Sequence, residues 1–398
     1  MKIIHTADTH FGVENYGKIN PENGLHSRLI DFCSSFNTII DYAIDNAVDC
    51  FVFAGDAYKT SHPTPTHQKL FINSLLRLVH AKIPLVIVIG NHDYPGNIFK
   101  AHALDICYSL DNSLCYIIDA PSSICIFTKS GPLNIVGIPW PTKTIIKNTL
   151  DSSNTNYAPL IAHATKNFIY TAAQKLNPII PALLVGHLTV ATGQLSGSER
   201  AAIICKDPVF SAQDLAIEPF DYVALGHLHK HQNCNKDKYP AVVYSGSPDY
   251  IDFGEIHDAK GFCCIDIPKK GKAVYTFIPL KVRPFYHILC QINTYTDIDV
   301  IFTEHQIKNM IVKVTCTYNG NLDIGIITKK IHYCLQSAFY VADIQFHATN
   351  TKDQDAHKRN IPLIQNKSVY ETVDLYCQHN KEYQKNRLEY LEIITKYS

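Results

Sequence analysis

The chain lacks an excess of charge of either sign: 36 basic residues balance 36 acidic ones over 398 positions. That balance excludes an overall pull toward polyanions, so any nucleic-acid contact has to come from a local basic surface. No apolar run reaches the ~18–20 residues that cross a bilayer, which argues against a membrane protein. The opening "MKIIHTADTH" turns polar too early for a secretory leader. No two cysteines have the CxxC spacing, and their number, 13, is odd. These absences argue against a disulfide framework or a zinc ribbon and for a reducing, cytoplasmic setting. Internal repeats and low-complexity tracts are absent as well.

What is present is a chain long enough for two or three domains, with the ordinary 46% hydrophobic content of a globular protein. "KIIHTAD", "CFVFAGD" and "IPLVIVIGNHD" read as strands. Leu25 to Ala47, "TPTHQKLFINSLLRLVH" and "NIFKAHALDICYSL" read as the helices between and after them. Pro65 suits the start of the second helix, where a missing N–H costs nothing. From Ser113 to Pro141 the pattern turns strand-rich. A helix over about Pro159 to Leu176 follows, then "ALLVGHLTV", "YVALGHLHK", "AVVYSGSP", "GFCCIDI" and "AVYTFIPL". The expected fold is therefore α/β (α+β): a four-layer αββα sandwich over residues 1–285. Residues 286–350 repeat as β-α-β-α-β, with helices near Asp299 to Asn309 and Leu322 to Leu335. This small unit has no acid–histidine cluster, so it is expected to contact substrate or cover a site. Residues 351–366 are polar and read as a linker, and 367–398 as an amphipathic helical tail that packs on its own domain or on a partner.

Five short polar signatures each follow a strand-like run. They are Asp8-Thr9-His10, Gly55-Asp56, Gly90-Asn91-His92-Asp93, Gly186-His187 and Gly226-His227-Leu228-His229. Ligands bind outside the carboxyl ends of parallel strands, so the five converge on one edge. In a strand, residues two apart point to the same side, which sends His227 and His229 the same way. Each signature alone is weak; five in order are not an accident. Two aspartates, four histidines and an asparagine, with no thiolate, suit Mn²⁺, Fe²⁺ or Zn²⁺. Seven donors are too many for one ion and right for two sharing a carboxylate. Two ions about 3.5–4 Å apart clamp the attacking and leaving oxygens of a phosphoryl displacement and activate a water.

The five signatures resemble those of the calcineurin-like metallophosphoesterases. "IIHTADTHFG", "FAGDAYKTSHPTPTHQ", "IGNHDYPG", "VGHLTV", "FDYVALGHLHKHQ" and above all "VVYSGSPDYIDFGEIHDAKGF" resemble the SbcD-type double-strand-break repair nucleases. The likeness covers about residues 1–285. It implies that Asp8, His10 and His229 hold one metal and Asn91, His187 and His227 the other, with Asp56 bridging. It also implies that His92 faces the scissile phosphate and protonates the leaving oxygen. The implied activity is a Mn²⁺-dependent DNA nuclease, 3′–5′ exonuclease and endonuclease, acting at ends and hairpins in repair and associated with the nucleoid. The implied partners are DNA, an SbcC-type coiled-coil ATPase docked on the C-terminal helices, and a second copy joined through helices near Thr64 to His80 and Asn97 to Leu110. Some family members carry a histidine or an acid shortly after the bridging aspartate, where this chain has Lys59. Asp93 is a candidate to orient His92, with helix capping the favoured role.

Among the other histidines, His5, His26, His62, His67, His80, His102 and His163 fit no signature and read by default as surface or satisfied interior residues. Lys59, His62 and Lys230 are weak candidates for DNA phosphate contacts, and His231 is a similar one. Cys263 and Cys264 should alternate faces of a strand and pack in the core. A small-molecule phosphodiesterase or nucleotidase on the same core is an alternative, and a non-catalytic DNA tether another.

Overall fold

The computed structural model describes residues 1–95, 100–110, 113–143, 157–197, 207–236 and 238–349, together with Arg387. Strands β1 (Lys2–Thr6), β2 (Cys50–Phe53), β3 (Leu85–Val88) and β4 (Cys115–Ile118) pair in parallel. A second sheet takes β5 (Ser122–Thr128), β6 (Gly131–Ile138), β7 (Ala182–His187), β10 (Tyr222–Gly226), β11 (Gln232–Asn233) and β12 (Ala241–Tyr244). Its order is β11-β12-β10-β7-β6-β5. The first sheet is completed by β13 (Gly261–Asp266) and β14 (Val274–Pro279), giving β14-β13-β1-β2-β3-β4.

Strand alternation builds the layers. Ile3, Val52 and Val86 point inward and meet Leu183, Val185, Ala224 and Val243 of the second sheet. Their neighbours Ile4, Phe51, Phe53, Leu85 and Ile87 point outward. There they meet helices α1 (Ser27–Asp45) and α2 (Pro65–His80), whose Phe36, Ile39, Ile40, Phe71, Leu75 and Leu78 recur at three- and four-residue spacing. Thr64 caps α2 by accepting from the His67 amide, and Pro65 sits in its first turn. Cys263 lies in the inner core and Cys264 in the outer one, as alternation demands. Helix α3 (Ala158–Lys175) covers the far face of the second sheet, with Ile169 and Ala172 on Leu184, Val223 and Leu225. The order is helix, sheet, sheet, helix: the expected α/β sandwich.

Three readings are corrected. Within "NIFKAHALDICYSL" the described residues form only a 3₁₀ turn, Asp105–Ser109. Leu104, Cys107 and Leu110 are buried at a strict three-residue spacing, which suits that tighter turn; residues 96–99 lie outside the described part. "ALLVGHLTV" is not one strand: β7 stops at His187, and β8 (Thr189–Val190) pairs instead with β9 (Val209–Phe210), just before the short helix α4 (Ala212–Leu215). Strand β7 ends on His187, which still pairs with Gly226 of β10, and Leu188 stays in the core.

Residues from Phe285 onward form a separate parallel sheet, β15 (Phe285–Ile292), β16 (Ile311–Tyr318) and β17 (Tyr340–Ala348), so Phe285 belongs with it. The third correction falls here: helix α5 spans Tyr295–Thr303, not the stretch near Asp299 to Asn309, because Thr294 and Asp297 form a capping box that starts it earlier. Helix α6 spans Ile324–Cys334. Ile288, Ile298, Phe302, Val314, Ile327 and Ile331 make this unit's own core. Arg283 ties it to α1, placing Nε and Nη2 each 2.9 Å from the Asp31 carboxylate. Residues 351–366 and the tail, apart from Arg387, lie outside the described residues. Among the described residues no helix is long and apolar enough to cross a membrane.

Candidate metal centre

The loops after β1 and β2 continue the strand pairing beyond the sheet. Asp8 N donates to the Gly55 carbonyl at 2.9 Å, His10 N to Asp56 at 3.2 Å and Phe11 N to Ala57 at 2.9 Å. This zipper sets Asp8, His10 and Asp56 side by side. Their φ values are +56°, +43° and +58°, and His227 has +104°, all in the left-handed region. Such backbone costs about 1–3 kcal/mol per non-glycine residue and collects at functional sites. Two glycines are required by close approach. A Cβ on Gly90 would lie 2.1 Å from Asp56 Oδ1, and one on Gly226 would lie 2.1 Å from the Ala54 carbonyl.

All eight singled-out side chains meet at this rim. Nε2 of His10 and Nε2 of His229 are 3.1 Å apart, and Asp8, His10 and His229 form a compact donor group. Beside it, Asn91 Oδ1 lies 2.9 Å from His187 Nε2 and 3.2 Å from His227 Nδ1. Asp56 stands between the two groups. Its Oδ2 is 3.7 Å from His10 Nε2 and 3.4 Å from His187 Nε2, while its Oδ1 accepts from the His92 amide at 2.9 Å. Trp140 roofs the second group, its ring 4.9 Å from His227 and 6.0 Å from His187. A cleft of about 390 Å³ opens over the rim, lined by His10, Asp56, Asn91, His92, His227 and His229, with Lys59 and Tyr16 at its edge.

The donor set fits divalent cations. Nε2 of His227 is buried with no hydrogen-bond partner, and Nε2 of His10 faces another imidazole nitrogen. A buried nitrogen left like His227 Nε2 is costly unless something binds it. Burial pushes the Asp8 carboxyl up to about 7. At Asp56 burial also pushes upward, but the imidazoles of His187, His92 and His10 outweigh it and hold the carboxyl below its ordinary range. Burial lowers His10 well below its usual value and His227 to about 3, so both are neutral lone-pair donors at neutral pH. At His187 burial lowers, but Asp56 and Asp8 outweigh it and lift the ring to about 9. A cluster that leaves acids and imidazoles at odds over their protons is one that a cation would settle.

The surroundings resolve the question of Lys59. His92 Nδ1 lies 2.8 Å from the Lys59 main-chain carbonyl. That contact orients the ring whatever side chain stands at this position, and leaves Nε2 as the other ring nitrogen. Asp93 does neither of the jobs expected of it. Its carboxylate accepts from the amides of Asp56 (2.9 Å), Ala57 (3.0 Å), Tyr58 (3.3 Å) and Gly90 (3.1 Å), pinning the Asp56 loop to the Asn91 loop. Two residues carry no signature in the sequence. Glu255 accepts from His229 Nδ1 at 2.8 Å, and Lys260 pairs with Glu255 at 2.7 Å, both fully buried. The only hint was their place in or just after "SGSPDYIDFGE". Of the weak candidates, Lys59 and His62 are exposed, and Lys230 lies 3.7 Å from Asp258. His231 is occupied inside the fold, stacked 4.1 Å from Phe277 and bonded to the Tyr244 carbonyl. His5 is fully buried between Tyr222 Oη and the Leu225 carbonyl, 3.1 Å from each.

Two facing sheets whose strand ends deliver two aspartates, an asparagine and five histidines to one rim define a metal-dependent phosphoesterase. A family model for calcineurin-like phosphoesterases matches residues 1–231, and the chain belongs to that family. Within it the chain is of the SbcD type. It is 30% identical over 293 residues to the SbcD component of the SbcCD nuclease of Staphylococcus epidermidis, covering 71% of this chain and 70% of that protein. Two solved structures also match. One is a dimetal phosphatase from Danio rerio, 10% identical with a TM-score of 0.41, covering 71% of this chain and 99% of that one. The other, from Thermus thermophilus, is 11% identical with a TM-score of 0.40, covering 69% and 98%.

Proposed function

We propose that this protein is a Mn²⁺-dependent DNA nuclease, a 3′–5′ exonuclease and endonuclease that trims double-strand ends and hairpins during repair. The observation that carries the reading is Asp56, whose one oxygen stands within 4 Å of an imidazole from each donor group, 3.7 Å from His10 and 3.4 Å from His187. In this reading Asp8, His10 and His229 hold one ion, Asn91, His187 and His227 the other, and Asp56 serves both. The bound ions supply positive charge for the phosphoryl oxygens and an activated water. The chain's own contribution is arrangement. Asp93 holds the Asp56 and Asn91 loops in register. His92, kept in place by the Lys59 carbonyl, faces the cleft to stabilise the transition state and protonate the leaving oxygen.

The substrate class rests on kinship with a nuclease component. The unit from 286 to 350 acts as a cap that touches DNA. By strand alternation its sheet face opposite α5 and α6 carries Lys313, Thr315, Thr317, Gln345 and His347, with Asp343 beside Lys313. Lys59, His62 and Lys230 are further phosphate contacts at the rim. The helical tail, 367–398, docks on an SbcC-type coiled-coil ATPase. Two copies pair through the helix Thr64 to His80 and the segment Asn97 to Leu110, in a cytoplasmic, nucleoid-associated complex.

The test is a Mn²⁺ assay on end-labelled duplex and hairpin DNA, with and without the ATPase, beside bis-(p-nitrophenyl) phosphate and cyclic nucleotides. The expected result is DNA cleavage that is lost in Asp56→Asn together with bound metal, and lost in His92→Ala with metal retained. Hydrolysis of small esters with none of DNA would move the assignment to a small-molecule phosphodiesterase. DNA tethering that survives His92→Ala with no hydrolysis in wild type would move it to a scaffold.

A further inference from the structure

We propose that Glu255, backed by Lys260, is a positioning residue that fixes how His229 meets a divalent cation. The inference rests on reading the rim as a two-ion centre, and it assigns a role to a residue outside the seven metal donors and His92.

Glu255 lies 26 residues from His229 in sequence, at the end of the loop that follows Asp249. It is fully buried. Its Oε1 accepts a hydrogen bond from His229 Nδ1 at 2.8 Å, which turns Nε2 toward Asp8 and His10. Its Oε2 accepts from the Ile251 amide at 2.9 Å and from Lys260 Nζ at 2.7 Å. Lys260, also fully enclosed at the side chain, reaches Ser247 Oγ at 2.8 Å. The loop is held from the other side by Arg28, whose Nη2 donates to Asp249 Oδ1 at 3.1 Å and to the Tyr250 carbonyl at 2.6 Å.

Stability alone is a poor explanation for this pair. Burying two charges costs desolvation that their attraction roughly returns, and apolar replacements of the same volume are often as stable. What the carboxylate does supply is an acceptor for three donors that converge on it. It also gives His229 a different partner from its neighbours. His187 and His92 each place Nδ1 2.8 Å from a neutral main-chain carbonyl, of Ala54 and Lys59. Of these three, His229 alone sets its Nδ1 against a carboxylate, which fixes the tautomer and makes the ring a stronger donor to a cation. A glutamine at 255 would bring an NH₂ against one of three donors, so the near-isosteric change is the sharp probe.

The experiment titrates Mn²⁺ into full-length wild type and Glu255→Gln, read by calorimetry and by electron paramagnetic resonance. Emission of Trp140, the chain's one tryptophan, reports on the His187 and His227 side. Wild type should bind two ions and show the spectrum of a coupled pair. The variant should keep one ion at wild-type affinity, with the Trp140 response intact. It should bind the other about 10–100-fold more weakly and show an isolated-ion spectrum. An unchanged pair in the variant overturns the proposal, as does equal weakening at both positions in a folded variant, which is what a merely structural role gives. Nitrogen-15 spectra of metal-free wild type, which need no variant to fold, should show His229 protonated at Nδ1; a bare Nδ1 overturns it too. Wild type that binds fewer than two ions overturns the two-ion reading beneath it and this proposal together.

Discussion

The rim of the sandwich and the interior of the cap are built on opposite terms. The rim buries Asp8, His10, Asp56, His187 and Glu255 almost completely and holds four of its residues at left-handed φ. The cap core is aliphatic and aromatic, with Ile288, Ile292, Ile298, Phe302, Ile327 and Ile331 around a three-stranded parallel sheet. One region accepts polar burial and backbone strain because a ligand can offset them; the other has no such ligand and follows packing alone. The large inner and outer cores of the sandwich are what make the first strategy affordable.

The comparison is broken most severely at Asp56. Asp56→Asn should lose both ions and at least about 10³-fold in hydrolysis. Metal analysis and rate on one preparation would check this, with the melting temperature of the metal-free protein little changed. His92→Ala should keep the metal and lose about 10²–10⁴-fold in rate, the usual worth of a general acid. A variant still near wild-type rate would take His92 out of the chemistry.

A cut in the other region should do the reverse. Ile327→Ala removes a fully buried cap side chain and should cost the cap about 2–5 kcal/mol. Metal content and small-ester turnover should hold while DNA cleavage falls; equal loss on both substrates would mean that the two regions are not separable. The sandwich should also respond to acid through the fully buried His5. Burial lowers His5 to about 3, while the unfolded chain protonates near pH 6.5. Between those values the unfolded state binds the extra proton, so His5 costs stability as pH falls from about 6.5 toward 3. Urea midpoints should drop between about pH 7 and pH 5 for wild type and drop less for His5→Asn. The smallest effect expected is at the exposed rim. Lys59→Ala should weaken DNA cleavage a few-fold, more at low salt than at high, and leave small esters untouched.

The eight side chains at the rim were legible because each signature is contiguous in sequence and follows a buried strand. That is a local pattern, and parallel strand ends must converge. Phe36, Ile39, Ile40 and the capped start of α2 were legible for the same reason. Errors came where a tertiary demand overrode a local cue. Asp93 looked like a helix cap, yet four amides from two loops claim its carboxylate. Lys59 looked like a gap in the machinery, yet its main-chain carbonyl does the orienting, and a carbonyl carries no sequence signal. Glu255 was invisible because nothing nearby marks an acid as the partner of an imidazole 26 residues away.

Sequence alone therefore determined the layers, the strand ends and the kind of atoms that gather at them, since period and donor type are written residue by residue. Only the tertiary structure decided that Asp56 stands between the two donor groups, that Asp93 binds loops together and that His229 leans on a buried carboxylate. Those are contacts between segments distant in the chain, and their distances exist only once both sheets have packed.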